Sequence, residues 1–395
     1  MKISEFGAGY FNLLKTIMGA GIISYPLFFA KFGSVTATIL SCVAALLTFS
    51  SLIMLCECAD YAKSTDKTFS AALSKVWPEV ASFFNVVVFV KCFGVSISYL
   101  ILLQPMLAYL LNMTGLSIFQ NMQKMQVIFL YALIMFPICS MKDLKSLRYT
   151  SMIGIIGVYV CIGGSIYNYI VTRSAVPTFP ETPLFTAPTY SWIGMAGQFI
   201  FSFTCHQNIF SIRASLKEPS LKGMKYIVGA GLSTALSLYL IFGMVIYITY
   251  GSQIQDNVFG LFVDGHVKEM VYMFYTVFIS CSFPLQVYPA RDCLAEWISG
   301  RQSKNASITR VCCTGAIVLV ASLISLLPVS LSTIQTAVGG SASAIMCNFI
   351  PAICIMKIPK SKSPMIMICA FFLMAYGILA VSGVFIKLSE QISSK

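Results

Sequence analysis

An apolar stretch long enough to cross a bilayer recurs about eleven times along this chain, and that recurrence limits what the chain can fold into. The stretches run near residues 9–30, 35–58, 80–111, 125–140, 150–172, 190–212, 226–250, 269–289, 311–327, 334–356 and 365–386. A hydrocarbon core of roughly 30 Å takes about 20 residues of helix at about 1.5 Å each. The stretch near 125–140 is short for that task, and the one near 80–111 is long enough to predict a tilted or projecting helix. Backbone entering lipid must satisfy its own hydrogen bonds, so the expected architecture is an all-α polytopic membrane protein. Charged residues make up only 10% of the chain and hydrophobic ones 57%, against about 25% charged in soluble proteins. That balance excludes a soluble enzyme, a disordered regulator and a coiled coil, because no water-soluble domain of this size buries so much apolar surface.

The net charge of +12 is a topology label rather than a nucleic-acid footprint. With the N-terminus placed in the cytosol, eighteen of the 26 Lys and Arg fall on the inner side, six on the outer side, and Lys15 and Lys91 within spans. This asymmetry predicts a cytosolic N-terminus, an outer C-terminus and an odd number of spans. The sequon Asn112-Met113-Thr114 then lies in an outer loop, while Asn305-Ala306-Ser307 is cytosolic and should stay unmodified. The first apolar run continues for a full span, so no cleaved leader is expected, and the short loops leave no room for a soluble domain. Most of the 14 cysteines, such as Cys42, Cys92, Cys161, Cys313 and Cys347, sit inside spans and read as small apolar packing residues. Cys56 with Cys58, and the pair Cys312–Cys313, have no second cluster or nearby histidine, so neither a zinc site nor any cofactor is expected.

Two stretches depart from uninterrupted helix. The first reads Met18-Gly19-Ala20-Gly21-Ile22-Ile23-Ser24-Tyr25-Pro26, where small residues and a following proline lower the cost of unwinding. Close packing through small residues is the competing reading. The second, in the sixth stretch, reads Phe203-Thr204-Cys205-His206-Gln207-Asn208 and carries polar groups and an ionisable histidine near mid-span. The two interruptions fall at matching positions of two five-span halves, the pattern that marks the site of an inverted-repeat transporter. Unwound backbone offers bare N–H groups to a carboxylate and bare C=O groups to a cation, and an amino acid zwitterion presents both charges. In the eighth stretch, Ser280 and Ser282 precede Pro284 and Pro289, and can either supply oxygen ligands or bond back onto their own helix. Arg291, which closes that stretch, reads as a cytosolic-interface anchor.

Three runs, Asn12–Ile22, Phe203–Asn208 and Phe283–Arg291, together resemble the amino acid/auxin permease family. The nearest branches look like the sodium-coupled neutral amino acid transporters and the fungal vacuolar amino acid transporters, and the resemblance spans essentially the whole chain. It implies one transmembrane domain with a leucine-transporter-like 5+5 inverted repeat, the first repeat near 8–172, the second near 190–356, and one extra helix near 365–386. It also implies amino acid transport by alternating access. Substrate binding is expected at Thr16, Met18, Gly19, Ala20, Gly21 and Ile22 of the first break, at Phe203, Thr204 and Cys205 of the second, and at Tyr99, a gating tyrosine in the family pattern. Ion coupling is expected at Asn12, Lys15, His206, Ser280 and Ser282. Sodium-coupled members resemble this chain at Asn12 but carry an asparagine at the position of Lys15; an ammonium there can stand in place of sodium, which favours proton coupling or sodium independence.

Acidic residues are few and lie at span ends or in loops, so a neutral amino acid is the expected substrate. His206 and Lys15 are the candidate proton carriers, because a histidine titrates near neutral pH and a buried lysine loses its proton readily. Lys91 either snorkels, meets a backbone carbonyl, or takes part in coupling. A sodium-coupled neutral amino acid symporter and a transporter-like amino acid sensor remain the alternatives. A membrane enzyme is disfavoured by having only two histidines far apart, and a channel by the lack of a filter loop or charge ring. The expected partners are a small amino acid and the lipid bilayer, with the chain acting as a monomer in a vacuolar or lysosomal-type endomembrane or the plasma membrane. No organic cofactor is expected, only a coupling ion, H+ or Na+.

Overall fold

The computed structural model describes residues 3–119, 122–141, 147–175, 180–217, 219–256, 258–299, 306–359 and 363–393. Among these residues there is helix and no strand. Eight helices are long and apolar enough to cross a membrane. They correspond to α3 (Ser34–Tyr61), α5 (Ala81–Met113), α7 (Leu147–Ala175), α11 (Leu221–Tyr250), α12 (His266–Ser299), α13 (Ala306–Ser325), the stretch Leu331–Met356, and α16 (Pro364–Ser393). A ninth crossing is a bent pair, α1 (Ile3–Ile17) and α2 (Tyr25–Phe32), whose axes meet at 49°. The seventeen-residue α6 (Lys124–Ser140) is shorter than a full crossing, as its sequence predicts. The sixth stretch is divided into α8 (Tyr190–Gly194), α9 (Ala196–Phe203) and α10 (Ile209–Ala214). A short α4 (Phe69–Leu73) lies between α3 and α5. Lys142, Lys145, Arg301, Lys304, Asn305 and other parts of the charge-asymmetry argument lie outside the described residues.

The hydroxyls inside these helices are consumed locally. Ser41 donates to Ala37 O, Ser96 to Cys92 O, Ser98 to Gly94 O and Ser165 to Cys161 O, all four residues back on the same helix. A serine thus enters an apolar span without stranding its donor. At helix starts the same chemistry turns outward: Ser220 caps α11 through Gly223 N and Ser330 caps α14 (Leu331–Val338) through Thr333 N. Gly33, at φ 79°, makes the tight turn from α2 into α3, and a Cβ there would lie 2.6 Å from Leu184 O. The loop before α8 reaches back to that turn, with Pro183 O and Leu184 O accepting from Ser34 N and Val35 N.

Burial separates the bundle into an inside and a rim. The apolar windows of α5 and of Leu331–Met356 are 72% and 78% buried, whereas that of α16 is only 22% buried. α16 turns Phe371, Phe372, Ile378 and Phe385 outward, the lipid-facing surface of a peripheral span. Its other face docks through glycines: a Cβ at Gly383 would meet Ile193 O at 2.2 Å, and one at Gly340 would meet Ala380 O at 2.4 Å. The helix opposite is not regular. Between α14 and α15 (Ile350–Met356) it runs through two π-helical turns, Gly339–Ser343 and Ile345–Phe349, and Gly339 abuts Gly197 so closely that a Cβ would lie 1.8 Å from its carbonyl oxygen. Arg291 is fully buried, donates from Nη1 to Cys139 O and Met141 O at 3.0 Å each and pairs with the partly exposed Asp292, so it caps the C-terminus of α6.

Candidate functional site: two facing helix breaks

The first break opens after α1. Met18 N still bonds Leu14 O, and then Gly19 takes an extended conformation (φ −155°, ψ −145°) before a 3-10 turn at Ala20–Ser24 leads into α2. The second opens after α9, where Thr204 is extended (φ −70°, ψ 106°), Cys205 follows, and a 3-10 turn at His206–Asn208 leads into α10. Sequence reasoning found the second break without a glycine to mark it. The polar run itself carries the signal, because Thr204 bonds back to Ile200 O at 2.6 Å and closes α9.

The two breaks touch. A Cβ at Gly21 would lie 2.6 Å from Ser202 Cα, so only glycine permits this approach. Ser202 Oγ lies 2.8 Å from Gln198 O and 3.4 Å from Gly21 O, and Asn208 Nδ2 donates to Thr16 Oγ1 at 3.2 Å. The carbonyls freed by unwinding do not stay bare. The Tyr239 hydroxyl of α11 lies 2.8 Å from Ile17 O and 3.0 Å from Ser202 O, one proton shared between the two breaks. Tyr275 of α12 donates to Gly19 O at 3.2 Å. Gln335 of α14 donates to Ala20 O at 3.1 Å and accepts from Ser24 Oγ. Tyr99 of α5 stands over Gly19, its hydroxyl 2.8 Å from where a Cβ would be. These hydroxyls and amides pre-organise a ring of dipoles around both breaks, with no carboxylate among them.

The arrangement is closed. Met18, Ala20, Ile22, Phe203 and Cys205 are each at most 1% exposed, and the Phe28 and Phe199 rings of α2 and α9 stack at 4.0 Å beside them. The structure brings Gly21 against Ser202, Tyr99 over Gly19 and Thr16 to Asn208, while Thr204 turns to Ile200 O and Cys347. Tyr239, Tyr275 and Gln335 were not singled out in the sequence, since a single polar side chain in an apolar helix gives no local sign of which way it points.

The expected ion-coupling residues fall into two places. Asn12 O accepts from Thr16 Oγ1 at 2.8 Å within α1, and Lys15, 4% exposed, lies within electrostatic reach of Cys281, between Ser280 and Ser282 of α12. Segments one and eight meet at the Tyr275 bond to Gly19 O. The Ser282 hydroxyl, though, bonds back to Phe278 O at 2.9 Å, the ordinary helix-internal arrangement. His206 lies elsewhere, fully buried against α3, with Nε2 2.9 Å from Ser51 Oγ, which also bonds Cys347 O of the π-helical turn. His266 is exposed and pairs with Glu269. Among the described residues, no group of three or more His, Cys, Asp or Glu could hold a metal ion, and the cysteines are all free.

Apolar spans, paired breaks and buried polar caps define a polytopic transporter of the broken-helix kind. The chain belongs to the family described as transmembrane amino acid transporter protein, whose profile matches residues 2–388. It is 26% identical over 361 residues to "Vacuolar amino acid transporter 5" of Schizosaccharomyces pombe (87% of this chain, 83% of that one). It is 25% identical over 312 residues to "Vacuolar amino acid transporter 6" of Saccharomyces cerevisiae (78% and 69%). It is 23% identical over 398 residues to "Putative sodium-coupled neutral amino acid transporter 11" of Bos taurus (99% and 85%). Among solved structures, a manganese transporter from Eremococcus coleocola, in complex with an aromatic bis-isothiourea substituted compound, shares the fold with a TM-score of 0.59. At 11% identity it covers 97% of this chain and 86% of its own.

Proposed function

We propose that this chain carries neutral amino acids across its membrane by alternating access, coupled to protons. The observation that carries the reading is the face-to-face packing of the two breaks, Gly21 against Ser202, ringed by hydroxyl and amide groups without a carboxylate. Backbone N–H groups of 18–22 would hold the substrate carboxylate, and carbonyls near 203–205 its ammonium, once the caps now occupying the break carbonyls give way. Tyr239, bonded to Ser202 O beside these carbonyls, competes with the ammonium there, while Tyr275 and Gln335 hold Gly19 O and Ala20 O of the first break. Lys15, within electrostatic reach of Cys281, supports sodium independence, because an ammonium fixed in the protein can stand in place of a mobile cation there. The names of relatives favour two readings: a vacuolar carrier and a sodium-coupled carrier of neutral amino acids. Eleven crossings with a cytosolic N-terminus, two five-span repeats followed by α16, and action as a monomer complete the proposal.

The test is uptake by reconstituted vesicles of a panel of tritiated amino acids under imposed pH or sodium gradients. Accumulation of neutral amino acids that follows the pH gradient and ignores sodium supports the reading. Accumulation driven by sodium alone overturns the proton assignment, and preference for lysine or arginine overturns the neutral one.

A further inference from the structure

Lys91 is a buried charge-bearing group that the two-break site does not use. It lies mid-helix in α5, 1% exposed, and its Nζ donates to Gln286 Oε1 of α12 at 3.1 Å. The Gln286 side chain also engages the Tyr99 hydroxyl, the group standing over Gly19. On its other side Lys91 is within electrostatic reach of His206, whose Nδ1 is buried without a hydrogen-bond partner. A polar chain therefore runs from the first break through Tyr99 and Gln286 to Lys91, with His206 of the second break, bonded to Ser51, within electrostatic reach of its end.

The other groups facing this chain are weak acids. Cys92 lies on α5 itself, Cys205 in the second break, Cys347 in the π-helical turn, and Cys293 of α12 faces Cys92. α4, α14 and the 3-10 turn at 20–24 carry no titratable side chain. On α6 and α13, Cys139, Cys313 and Arg310 lie around Arg291 and Asp292, and Tyr131 packs on Phe283. Two buried bases within electrostatic reach of each other, with no carboxylate acting on either, cannot both be charged in an apolar interior, since each charge repels the other and neither is solvated. A single proton between them is tolerable, and Gln286 Oε1 accepts from a protonated Lys91.

We infer that Lys91 and His206 hold one transferable proton between them and act as the proton-carrying pair of the transport cycle, with Gln286 and Tyr99 relaying its presence to the first break. The step is a proton transfer only. One N–H bond forms at Lys91 Nζ or His206 Nδ1 when a proton enters from one side, and it breaks when the proton leaves on the other. The inference rests on the proton-coupled reading above.

The experiment uses the full chain in proteoliposomes with an equimolar mixture of tritiated neutral amino acids. It compares pH-gradient-driven uptake with gradient-free counterflow exchange for the wild type, Lys91→Gln, Lys91→Arg and His206→Gln. The expected result is that the two Lys91 variants keep exchange within about threefold but, like His206→Gln, lose gradient-driven accumulation by at least tenfold. Arginine fails like glutamine because it keeps a charge that it cannot release. A wild type that ignores the pH gradient sinks the coupling reading itself. A wild type that follows the gradient, with any variant that does so too, overturns only the Lys91–His206 assignment. Loss of exchange in either Lys91 variant despite correct membrane insertion also overturns it, since Lys91 would then serve packing or substrate passage.

Discussion

At the scale of single residues, Gly21 is the tightest point of the site. A methyl group there would enter the van der Waals radius of Ser202 Cα, and backbone cannot yield as a flexible side chain does. We expect Gly21→Ala to lower exchange at least tenfold while the protein still reaches the membrane, read by counterflow and surface or organelle labelling. Tyr239→Phe acts differently. It leaves Ile17 O and Ser202 O buried with one donor fewer between them, and an unmet buried carbonyl costs about 1–3 kcal/mol. A lower melting temperature in detergent is expected, and an unchanged one would show that water or another group replaces the hydroxyl. The sequence exposed Gly19-Ala20-Gly21 because small residues within an apolar run are a local signal. It could not expose Tyr239, Tyr275 or Gln335, whose roles exist only once three other helices surround the break.

Among the elements, the interrupted helices carry the constraints. The second break was legible from Thr204-Cys205-His206-Gln207, polar residues where lipid would forbid them unless the backbone there faces protein. The π-helical turns at 339–349 were not legible. Their cause is steric: Gly339 and Gly340 are pressed between Gly197 and Ala380, and neither contact has a signature within one segment. We expect Gly340→Val to push α16 away from this groove. Overpacking of this kind costs about 1–3 kcal/mol, so heating should expose α16 to protease at lower temperature than in the wild type. Arg213 of α10 pairs with Asp60 at the end of α3 and donates to Ser64 O at 2.8 Å. The exchanged pair Asp60→Arg with Arg213→Asp should recover most of the exchange activity lost by either change alone. Failure to recover would place the role of Arg213 in its bond to Ser64 instead.

For the whole molecule, length and apolar recurrence were enough to predict the architecture, because lipid leaves helical chains few alternatives. The sequence over-read one detail. Asn112, placed in a loop by its sequon, occupies the last turn of α5. A cytosolic N-terminus predicts that an N-terminal epitope is reached by antibody only after the membrane facing the cytosol is permeabilised from that side, and that Asn305 carries no glycan. A glycan on Asn305 would invert the orientation.

The loop at 180–189 has a mechanical meaning. Its carbonyls cap the start of α3, Thr186 bonds Lys31 O and Phe32 O, and Phe32 meets the Trp192 ring at 5.0 Å. With Phe28 stacked on Phe199, the halves α2 and α8–α9 are riveted into one lever. Their counterparts α1 and α10 are joined by the lighter Asn208–Thr16 latch. The bonding is thus uneven along the two broken helices, dense where α2 meets α8–α9 and sparse where Thr16 meets Asn208, so the sparse end is the one expected to part at lower cost.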